Sequence, residues 1–210
     1  MTMTSNDNDP LKPARGSRTV WLDAAKQALL DKGVDAVKIQ PLANTLNLSR
    51  TSFYWFFKDR QALLNALLDE WEVKNTGAIV GACEAYAESI SEAVLNLIAV
   101  FIKQEAFEPK FDFAIRGWAH QSPDIMAYVN EADERRLDAI RQMFLRFAVD
   151  EAEADVRART VYLTQIGYIA MQIDESKTTR IARVPAYVKT FAGIEPTAGE
   201  LARFEAALNT

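Results

Sequence analysis

Apolar residues recur with a helical period along nearly the whole chain after residue 18, and no segment alternates apolar and polar residues over the length of a strand. The sequence therefore predicts an all-α fold. Between residues 79 and 207 we expect four or five helices, separated near residues 108–109, 121–123, 149–150, 176–177 and 193–196. One of them begins after Ser122, and its inward stripe is Ile125, Val129, Ala132, Arg136, Ile140, Met143 and Phe147.

The first two helices are bounded by residues that favour helix ends. Ser17 or Thr19 is expected to cap the first helix, and Gly33 is placed as a left-handed stop. A short second helix follows Ile39. Pro41 is tolerated there only within the first turn, because an N–H at that position has no intrahelical partner.

A tight connection follows the second helix at Asn47-Leu48-Ser49. Asparagine tolerates positive φ, and Ser49 is well placed to cap the next helix. A helix, a three-residue turn and a second helix form a geometry that binds DNA. The sequence thus predicts an N-terminal three-helix DNA-binding domain.

The helix after this turn has two different faces. On a helical wheel, Thr51, Tyr54, Trp55 and Lys58 fall on one side, opposite Phe53. The run of five aromatic residues also fits a helix that is simply core. However, these positions carry a threonine, a lysine, a tyrosine hydroxyl and an indole N–H. A helix buried on every side would leave such polar groups without the hydrogen-bond partners that they need.

We therefore expect the polar side of this helix to face DNA. Its tyrosine, tryptophan and lysine donate to phosphate oxygens, which fixes register, whereas the first-turn residues lie nearest the base edges. Arg15 and Arg18 are expected to add minor-groove or backbone contacts. The predicted DNA contacts are Lys38, Ser49, Arg50, Thr51, Ser52, Tyr54, Trp55 and Lys58.

Charge is unevenly divided along the chain. Residues 1–60 carry nine lysines and arginines against six aspartates, a net of +3, whereas residues 61–210 carry a net of −8. The phosphate contribution to DNA binding depends on local positive charge, so an acidic protein with a basic front end can still bind DNA. Such an imbalance also arises by chance, so the sequence motifs have to decide whether it indicates DNA binding.

Residues 48–64 read LSRTSFYWFFKDRQALL, an aromatic-rich run that includes a Phe-Lys-acidic-basic sequence. Upstream positions that fit the same pattern are Ala24, Ala25, Gly33, Leu42 and Ala43. Over residues 20–64 this pattern resembles the N-terminal domain of the TetR/AcrR family of transcriptional regulators. The resemblance implies backbone contacts by Tyr54, Trp55 and Lys58, and base contacts by residues 50–52.

Three positions depart from the family's pattern. Asn47 replaces a common turn glycine, which is benign because asparagine tolerates positive φ. Lys38 replaces a common capping threonine and brings a phosphate-seeking charge in its place. Phe56 replaces a position that is frequently polar, so we do not count it as a DNA contact.

The resemblance also implies the domain organisation and the function. We expect a mobile N-terminal arm at residues 1–16, a TetR-type helix-turn-helix domain at 17–62, and a larger helical domain at 63–210 that binds ligand and dimerises. The implied protein is a transcriptional regulator, by default a repressor, that binds a palindromic double-stranded operator as a homodimer. A small-molecule inducer of unknown identity releases it.

Two helices of the larger domain carry apolar stripes that suit pairing across a two-fold axis, although internal core packing explains them equally well. Pro185 either starts the second of these helices or kinks it. The predicted dimer interface is Tyr162, Gln165, Ile166, Ile169, Val184, Tyr187, Val188 and Phe191.

A ligand pocket is expected to have apolar walls and a few polar groups that orient the ligand. Ordinary core packing accounts for the same residue types. The candidate pocket residues are Trp71, Cys83, Tyr86, Phe107, Arg116, Trp118, His120, Met126 and Met143.

Composition limits the other functions. One cysteine, Cys83, and one histidine, His120, do not supply a zinc site, and eight isolated glycines form neither GxGxxG nor GxxxxGK[ST]. We expect no metal and no cofactor. No apolar run reaches the roughly 20 residues that a membrane helix needs, and no secretory signal is evident, so we expect a cytoplasmic protein without membrane contact.

Two alternative functions remain. One is a DNA-binding protein that has no inducer. The other is a helical hydrolase that uses Cys83 or the carboxylates of Glu131, Asp133 and Glu134. The cysteine lacks an oriented base and third group, and the acidic residues are followed by two arginines, which is typical of a charged helix surface. We therefore expect no enzymatic activity.

Overall fold

The computed structural model describes residues 16–103 and 105–209, and every regular element in these two ranges is helical. The all-α prediction is confirmed. The expected mobile arm at residues 1–16, with Arg15, lies outside the described residues except for Gly16. The helices are α1 (Arg18–Lys32), α2 (Ile39–Leu46), α3 (Arg50–Phe53), α4 (Arg60–Trp71), α5 (Gly77–Glu84), α6 (Ile90–Lys103), α7 (Pro109–Ala119), α8 (Pro123–Leu145), α9 (Glu151–Ala170), α10 (Lys177–Ala192) and α11 (Ala198–Ala207).

Two shorter segments join these helices. A 3₁₀ turn at Val34–Ala36 lies between α1 and α2, and a π-helical segment at Glu72–Thr76 connects α4 to α5. The chain divides into two compact units between Leu68 and Asp69, within α4. None of the described helices is both long enough and apolar enough to cross a membrane.

The ends of the first three helices are set by local side chains, as the sequence predicts. The Ser17 hydroxyl accepts a hydrogen bond from the N–H of Val20, and Gly33 ends α1 with φ 78°. Asn47 adopts a left-handed conformation at φ 52° and ψ 40°. The Ser49 hydroxyl accepts from the N–H of Ser52 and so caps α3.

An aromatic core holds the first unit together. The ring of Phe53 meets Trp21 edge-on at 5.3 Å and stacks on Phe57 at 5.5 Å, and all three side chains are buried. Leu42 and Leu63 are buried beside this core in α2 and α4. The α2–turn–α3 segment is thus fixed to the other helices of this unit by the inward side of α3.

The second unit is built around the long helix α8, which packs against α5, α7 and α9. The inward stripe predicted for α8 is confirmed at Val129, Ala132, Arg136, Ile140 and Met143, all of which are buried. On the other side of the unit, α6 packs against α5, α10 and α11.

Two details differ from the sequence expectations, and a third decides between alternatives that the sequence left open. Residues 77–207 form seven helices rather than four or five, with an additional break at residues 85–89, which contain neither proline nor glycine. α3 is regular only over Arg50–Phe53 and tightens into a turn, in which the N–H of Phe56 bonds the carbonyl of Phe53 at 3.0 Å. Pro185 lies inside α10 rather than at its start, so the carbonyl of Ile181 receives no helical N–H from it.

The left-handed turn at Asn47 gives a test of how the helix-turn-helix is stabilised. We expect Asn47→Ala to lower the free energy of unfolding by about 1 kcal/mol, because a Cβ without a local polar group is disfavoured at positive φ. Asn47→Gly removes the same side chain without that strain and serves as the control. Urea unfolding measured by circular dichroism compares the two, and equal losses would contradict the role of the backbone conformation.

Candidate nucleic-acid interface and a buried polar cluster

The α2–turn–α3 segment presents most of the predicted DNA contacts to solvent. Trp55 is 79% exposed and Tyr54 is 48% exposed, although they adjoin the buried Phe53. The remaining exposed members of the predicted set are Lys38, Ser49, Arg50, Thr51 and Lys58. The two faces expected for this segment therefore occur, one in the core and one in water.

Ser52 differs from the other predicted contacts because it is only 7% exposed. Its hydroxyl donates to the carbonyl of Ser49 at 2.9 Å, while its N–H donates to the Ser49 hydroxyl at 3.2 Å. Ser52 thus closes the first turn of α3 in this structure and does not point to solvent. The hydroxyl of Ser49 is likewise engaged as a cap.

The basic side chains on this surface have no acidic partner in the described part of the chain. Among the residues that the structure describes, no carboxylate lies within ion-pair distance of Lys38, Arg50 or Lys58. Arg50 instead donates from Nη2 to the hydroxyl of Tyr54 at 3.3 Å, one helical turn away. Unpaired cations next to aromatic donors form a surface that suits phosphate oxygens.

Arg60 is a structural residue of this surface that sequence reasoning missed. Its Nε donates to the carbonyl of Val37 at 2.5 Å and its Nη2 donates to the carbonyl of Val34 at 2.8 Å. These bonds fix the chain just before Lys38 and α2. The signal in the sequence was the basic residue that follows Lys58 and Asp59, but only the fold shows which carbonyls it meets.

The second unit contains a buried cluster of charged side chains. Asp112 and Arg136 are both 0% exposed, and Arg136 Nη1 donates to Asp112 Oδ1 at 3.0 Å. The indole N–H of Trp71 donates to the same oxygen at 2.9 Å, while Arg116 Nε donates to Asp112 Oδ2 at 2.7 Å. Burial alone raises the pKa of the Asp112 carboxyl, but Arg136 and Arg116 more than offset it, so the pKa lies below its ordinary value.

The cluster extends to α9 through Asp133 and Tyr162. Arg116 makes a two-pronged contact with Asp133, from Nη1 at 2.9 Å and from Nη2 at 2.7 Å. The hydroxyl of Tyr162 donates to Asp133 Oδ1 at 2.6 Å, and burial raises the pKa of that hydroxyl. Arg116 and Tyr162, predicted for the pocket and the dimer interface, therefore hold helices of one chain together.

The π-helical segment completes this cluster. Arg136 Nε donates to the hydroxyl of Thr76 at 2.9 Å, and its guanidinium lies 4.6 Å from the ring centre of Trp71. Asn75 is buried one residue before Thr76 and exchanges hydrogen bonds with the backbone of Glu108. Two arginines and two aspartates balance each other's charge, and Arg136 Nη2 alone among the cluster's nitrogens and oxygens is buried without a partner.

The nine candidate pocket residues do not surround one cavity. Tyr86 is 83% exposed, and His120 is exposed at the end of α7. Cys83 and Met143 are buried beside an open groove between α5 and α8, and burial raises the pKa of the Cys83 thiol to about 12. The other candidates are Trp71, Phe107 and Trp118, which are buried, and Arg116 and Met126, which are partly buried.

A cavity lies elsewhere in the second unit, between α6, α9 and α10. Its volume is about 50 Å³, and it opens to solvent. Four of its lining residues, Gln165, Val184, Tyr187 and Phe191, were predicted for the dimer interface. They lie on the inward sides of α9 and α10, as do Tyr162, Ile169 and Val188, which are at most 5% exposed.

The outward side of α9 carries a different set of apolar residues. Val156 is 61% exposed, Leu163 is 59% exposed and Met171 is 74% exposed. A residue buried within one chain does not form a surface for a second chain, so these outward positions replace the inward ones as candidates for contact between protomers. Ile166, partly buried, lies between the two faces.

The comparisons with known proteins concern the N-terminal segment and the fold. Residues 22–67 match the family described as bacterial regulatory proteins, tetR family. The tetracycline repressor protein class D of Escherichia coli is 37% identical over 57 residues, which are 27% of this chain and only 26% of that protein. The match to this curated relative thus spans about a quarter of its length.

Solved structures share the fold over most of the chain. A TetR/AcrR-family transcriptional regulator from Aquifex aeolicus VF5 superposes with a TM-score of 0.66 at 13% identity, covering 83% of this chain and 99% of that one. The TetR-family transcriptional regulator PfmR from Thermus thermophilus gives a TM-score of 0.61 at 18% identity, covering 81% and 96%. Identities this low show a common fold.

The buried cluster generates a prediction about stability. We expect Asp112→Asn to lower the free energy of unfolding by about 3 kcal/mol or more, because the buried Arg136 and the partly buried Arg116 lose a charged partner. Asp138→Asn, which changes an exposed carboxylate on α8, is the control and should cost much less. Chemical denaturation at neutral pH measures both, and similar losses in the two variants would contradict the proposed importance of the cluster.

The same variant predicts a pH dependence. The folded-state pKa of Asp112 lies below the unfolded value of about 3.9. The contribution of Asp112 to the free energy of unfolding is therefore complete above the unfolded pKa and is lost as the pH falls through the folded pKa. The stability difference between the wild type and Asp112→Asn should therefore be constant near neutral pH and shrink only in acid.

Proposed function

Since its N-terminal segment and its fold identify the chain as a member of the TetR/AcrR family of transcriptional regulators, we propose that it is a repressor that binds a palindromic DNA operator as a homodimer. A small molecule that binds the second unit releases it from DNA. The observation that carries the proposal is the exposed α2–turn–α3 surface, where basic and aromatic donors have no acidic partner among the described residues.

The geometry supports a division of roles on this surface. Tyr54, Trp55 and Lys58 are exposed and able to donate to phosphate oxygens, which positions the protein without reading sequence. Arg50 and Thr51 lie at the N-terminal end of α3, the end that enters the major groove in helix-turn-helix proteins. A guanidinium reads guanine by two hydrogen bonds, and a threonine methyl suits the methyl group of thymine.

The outward side of α9 supports the dimer. Four exposed positions, Val156, Thr160, Leu163 and Ala170, together with the partly buried Gly167, follow the alternating spacing of four and three residues that is typical of a helix-packing seam. Gly167 and Ala170 are small, which allows close approach of a second helix. A two-fold axis through this side pairs two copies of α9, and a symmetric dimer requires an approximately palindromic operator.

Ligand control requires that the inducer bind one arrangement of the helices better than another. Helical structure continues without a flexible linker from α4 through the π-helical segment into α5, and this stretch contains the division between the two units. We propose that it transmits the effect of the ligand. A coupling of about 1–3 kcal/mol would change DNA affinity roughly 5–150-fold. Repression in the cytoplasm is part of the same proposal.

DNA selection tests the interface directly. Purified protein at about 150 mM salt should enrich a palindromic sequence from genomic fragments. Arg50→Ala should then lose discrimination between that site and random DNA by about tenfold or more, because a bidentate base contact contributes roughly 1–3 kcal/mol. Lys58→Ala should weaken binding to both duplexes by the same factor. It should also lower the slope of log affinity against log salt concentration by about one.

These two variants serve as controls for each other. Equal losses of affinity for specific and random duplexes in Arg50→Ala would contradict the proposed base contact of Arg50. Absence of any enriched sequence with ligand-free protein would contradict operator binding itself.

Sedimentation tests the dimer. Leu163→Glu should convert a dimer into a monomer, because it places a charge in the proposed seam while the side chain is 59% exposed in the single chain and so does not disturb the core. Val73→Glu, at another apolar position that is 77% exposed, is the matched control and should leave the mass unchanged. A wild-type protein that sediments as a monomer at micromolar concentration would overturn the assignment.

A further inference from the structure

We propose that Arg60, the first residue of α4, is a positioning residue for phosphate binding: it fixes the start of α2 so that Lys38 is held where it contacts a DNA phosphate. In this role Arg60 does not touch DNA itself. All of the residues involved belong to the first unit. The inference rests on the proposed DNA-binding surface, but it does not depend on the operator, the inducer or the oligomeric state.

The start of α2 lacks the side-chain cap that the other helices of the first unit have. Ser17 caps α1 and Ser49 caps α3, while the carboxylate of Asp59 accepts a backbone N–H in the first turn of α4. The residue at the corresponding place before α2 is Lys38, whose side chain makes no capping bond. A cap fixes the conformation of the chain where it enters a helix, so the entry to α2 needs another source of order.

Arg60 supplies that order from a position distant in sequence. The 3₁₀ turn Val34–Ala36 and the next residue, Val37, lead into α2. Arg60 Nη2 donates to the carbonyl of Val34 and Nε donates to that of Val37, so one guanidinium binds a carbonyl at each end of the turn. The side chains of both valines are buried as well. Because the guanidinium is planar and its N–H groups are fixed, the segment before Lys38 is held relative to α4.

The charge of Arg60 has no local explanation. A positive charge at the first residue of a helix opposes the helix dipole. In the described part of the chain, no carboxylate lies within ion-pair distance of this partly buried side chain. Its long-range partners are the two backbone carbonyls, which points to a role in placing the chain ahead of α2.

Lys38 lies between the held turn and α2. Its side chain is exposed, and its carbonyl accepts from the N–H of Leu42 at 3.1 Å, which joins it to the helix. A lysine side chain is long and flexible, so the position of its backbone limits where the ammonium group reaches. Without the bonds of Arg60, the backbone of Lys38 would be anchored on the helix side only. A phosphate contact would then cost more conformational entropy.

A direct contact between Arg60 and a phosphate is the competing explanation. A lysine at this position distinguishes the two. It keeps the positive charge and binds phosphate as a point charge, but it lacks the pair of fixed N–H groups that binds two carbonyls. Arg60→Lys therefore tests the effect of position separately from the effect of charge.

Affinity for a duplex of random sequence, measured by fluorescence anisotropy at about 50–200 mM salt, tests the inference, because phosphate contacts need no specific sequence. We expect Lys38→Ala to weaken binding about fivefold to tenfold near 100 mM salt and to lower the slope of log affinity against log salt concentration by about one. Arg60→Lys should do the same although the charge is kept. The double variant should resemble either single variant, because both changes remove the same contact.

Two further variants are controls. Lys58→Ala removes a proposed phosphate contact of a different segment, so its loss should add to that of Arg60→Lys. Arg203→Lys makes the same exchange at an arginine of α11 that pairs with Glu92, and it should bind DNA as the wild type does. Circular dichroism checks the fold of each variant. A partly unfolded variant loses nearly the same factor of affinity at every salt concentration, so the salt slope separates a lost contact from a lost fold.

Three results would overturn the proposal. Wild-type affinity and slope in Arg60→Lys would show that charge alone is sufficient. A weaker affinity with an unchanged slope, or additive losses in the double variant, would show that Arg60 acts only on stability. An unchanged slope in Lys38→Ala would show that there is no phosphate contact for Arg60 to position.

The outcomes for positioning and for regulation are separable. A protein that binds random duplexes through Lys38 and depends on Arg60, yet selects no palindrome, would uphold the positioning role and refute operator binding. Operator binding that Arg60→Lys leaves intact would refute the positioning role alone. A wild-type protein that binds no duplex would refute both.

Discussion

The second unit depends on the ion pair between Asp112 and Arg136. Both side chains are excluded from water, a condition whose desolvation cost is repaid only when the remaining donors and acceptors are also engaged. Trp71, Arg116 and Thr76 provide most of those additional bonds, and Arg136 Nη2 is left without one. The cluster consequently ties together the π-helical segment, α7 and α8, and through Asp133 it reaches Tyr162 of α9. We interpret it as the feature that sets the register of these helices.

The position of this cluster limits where an apolar molecule would fit in the second unit. Charged groups that satisfy one another fill the interior between α7, α8 and α9, so that region is a poor place for an apolar ligand. The buried apolar residues form a cluster that spans α5, α6 and α8 to α11, and the cavity lies between α6, α9 and α10. The residues predicted for a pocket were chosen as aromatic, sulfur-containing or polar residues, and their chemistry did not reveal which of them already had partners.

Local signals in the sequence were sufficient for much of the fold and for the division of the α3 segment into a buried and an exposed side. Helix ends at Ser17, Gly33 and Asn47 depend on the residue itself and its nearest neighbours, and the helical wheel separated Phe53 from Tyr54 correctly even though α3 is regular for only four residues. The wheel also placed Arg136 on the inward stripe of α8. It could not show that Asp112, far away in sequence, would neutralise it.

Long-range packing explains the rest of the differences. α9 and α10 have apolar residues on more than one side, so periodicity alone did not tell which side faces the interior of one chain and which faces outward. In the structure the inward sides include Val161 and Val184, which line the cavity, while the outward side of α9 includes Leu163. A helix has a fixed thickness, so a ligand that displaces the inward side of α9 must also move its outward side. Because the cavity and the proposed protomer seam share this helix, a change in packing at one of them would reach the other.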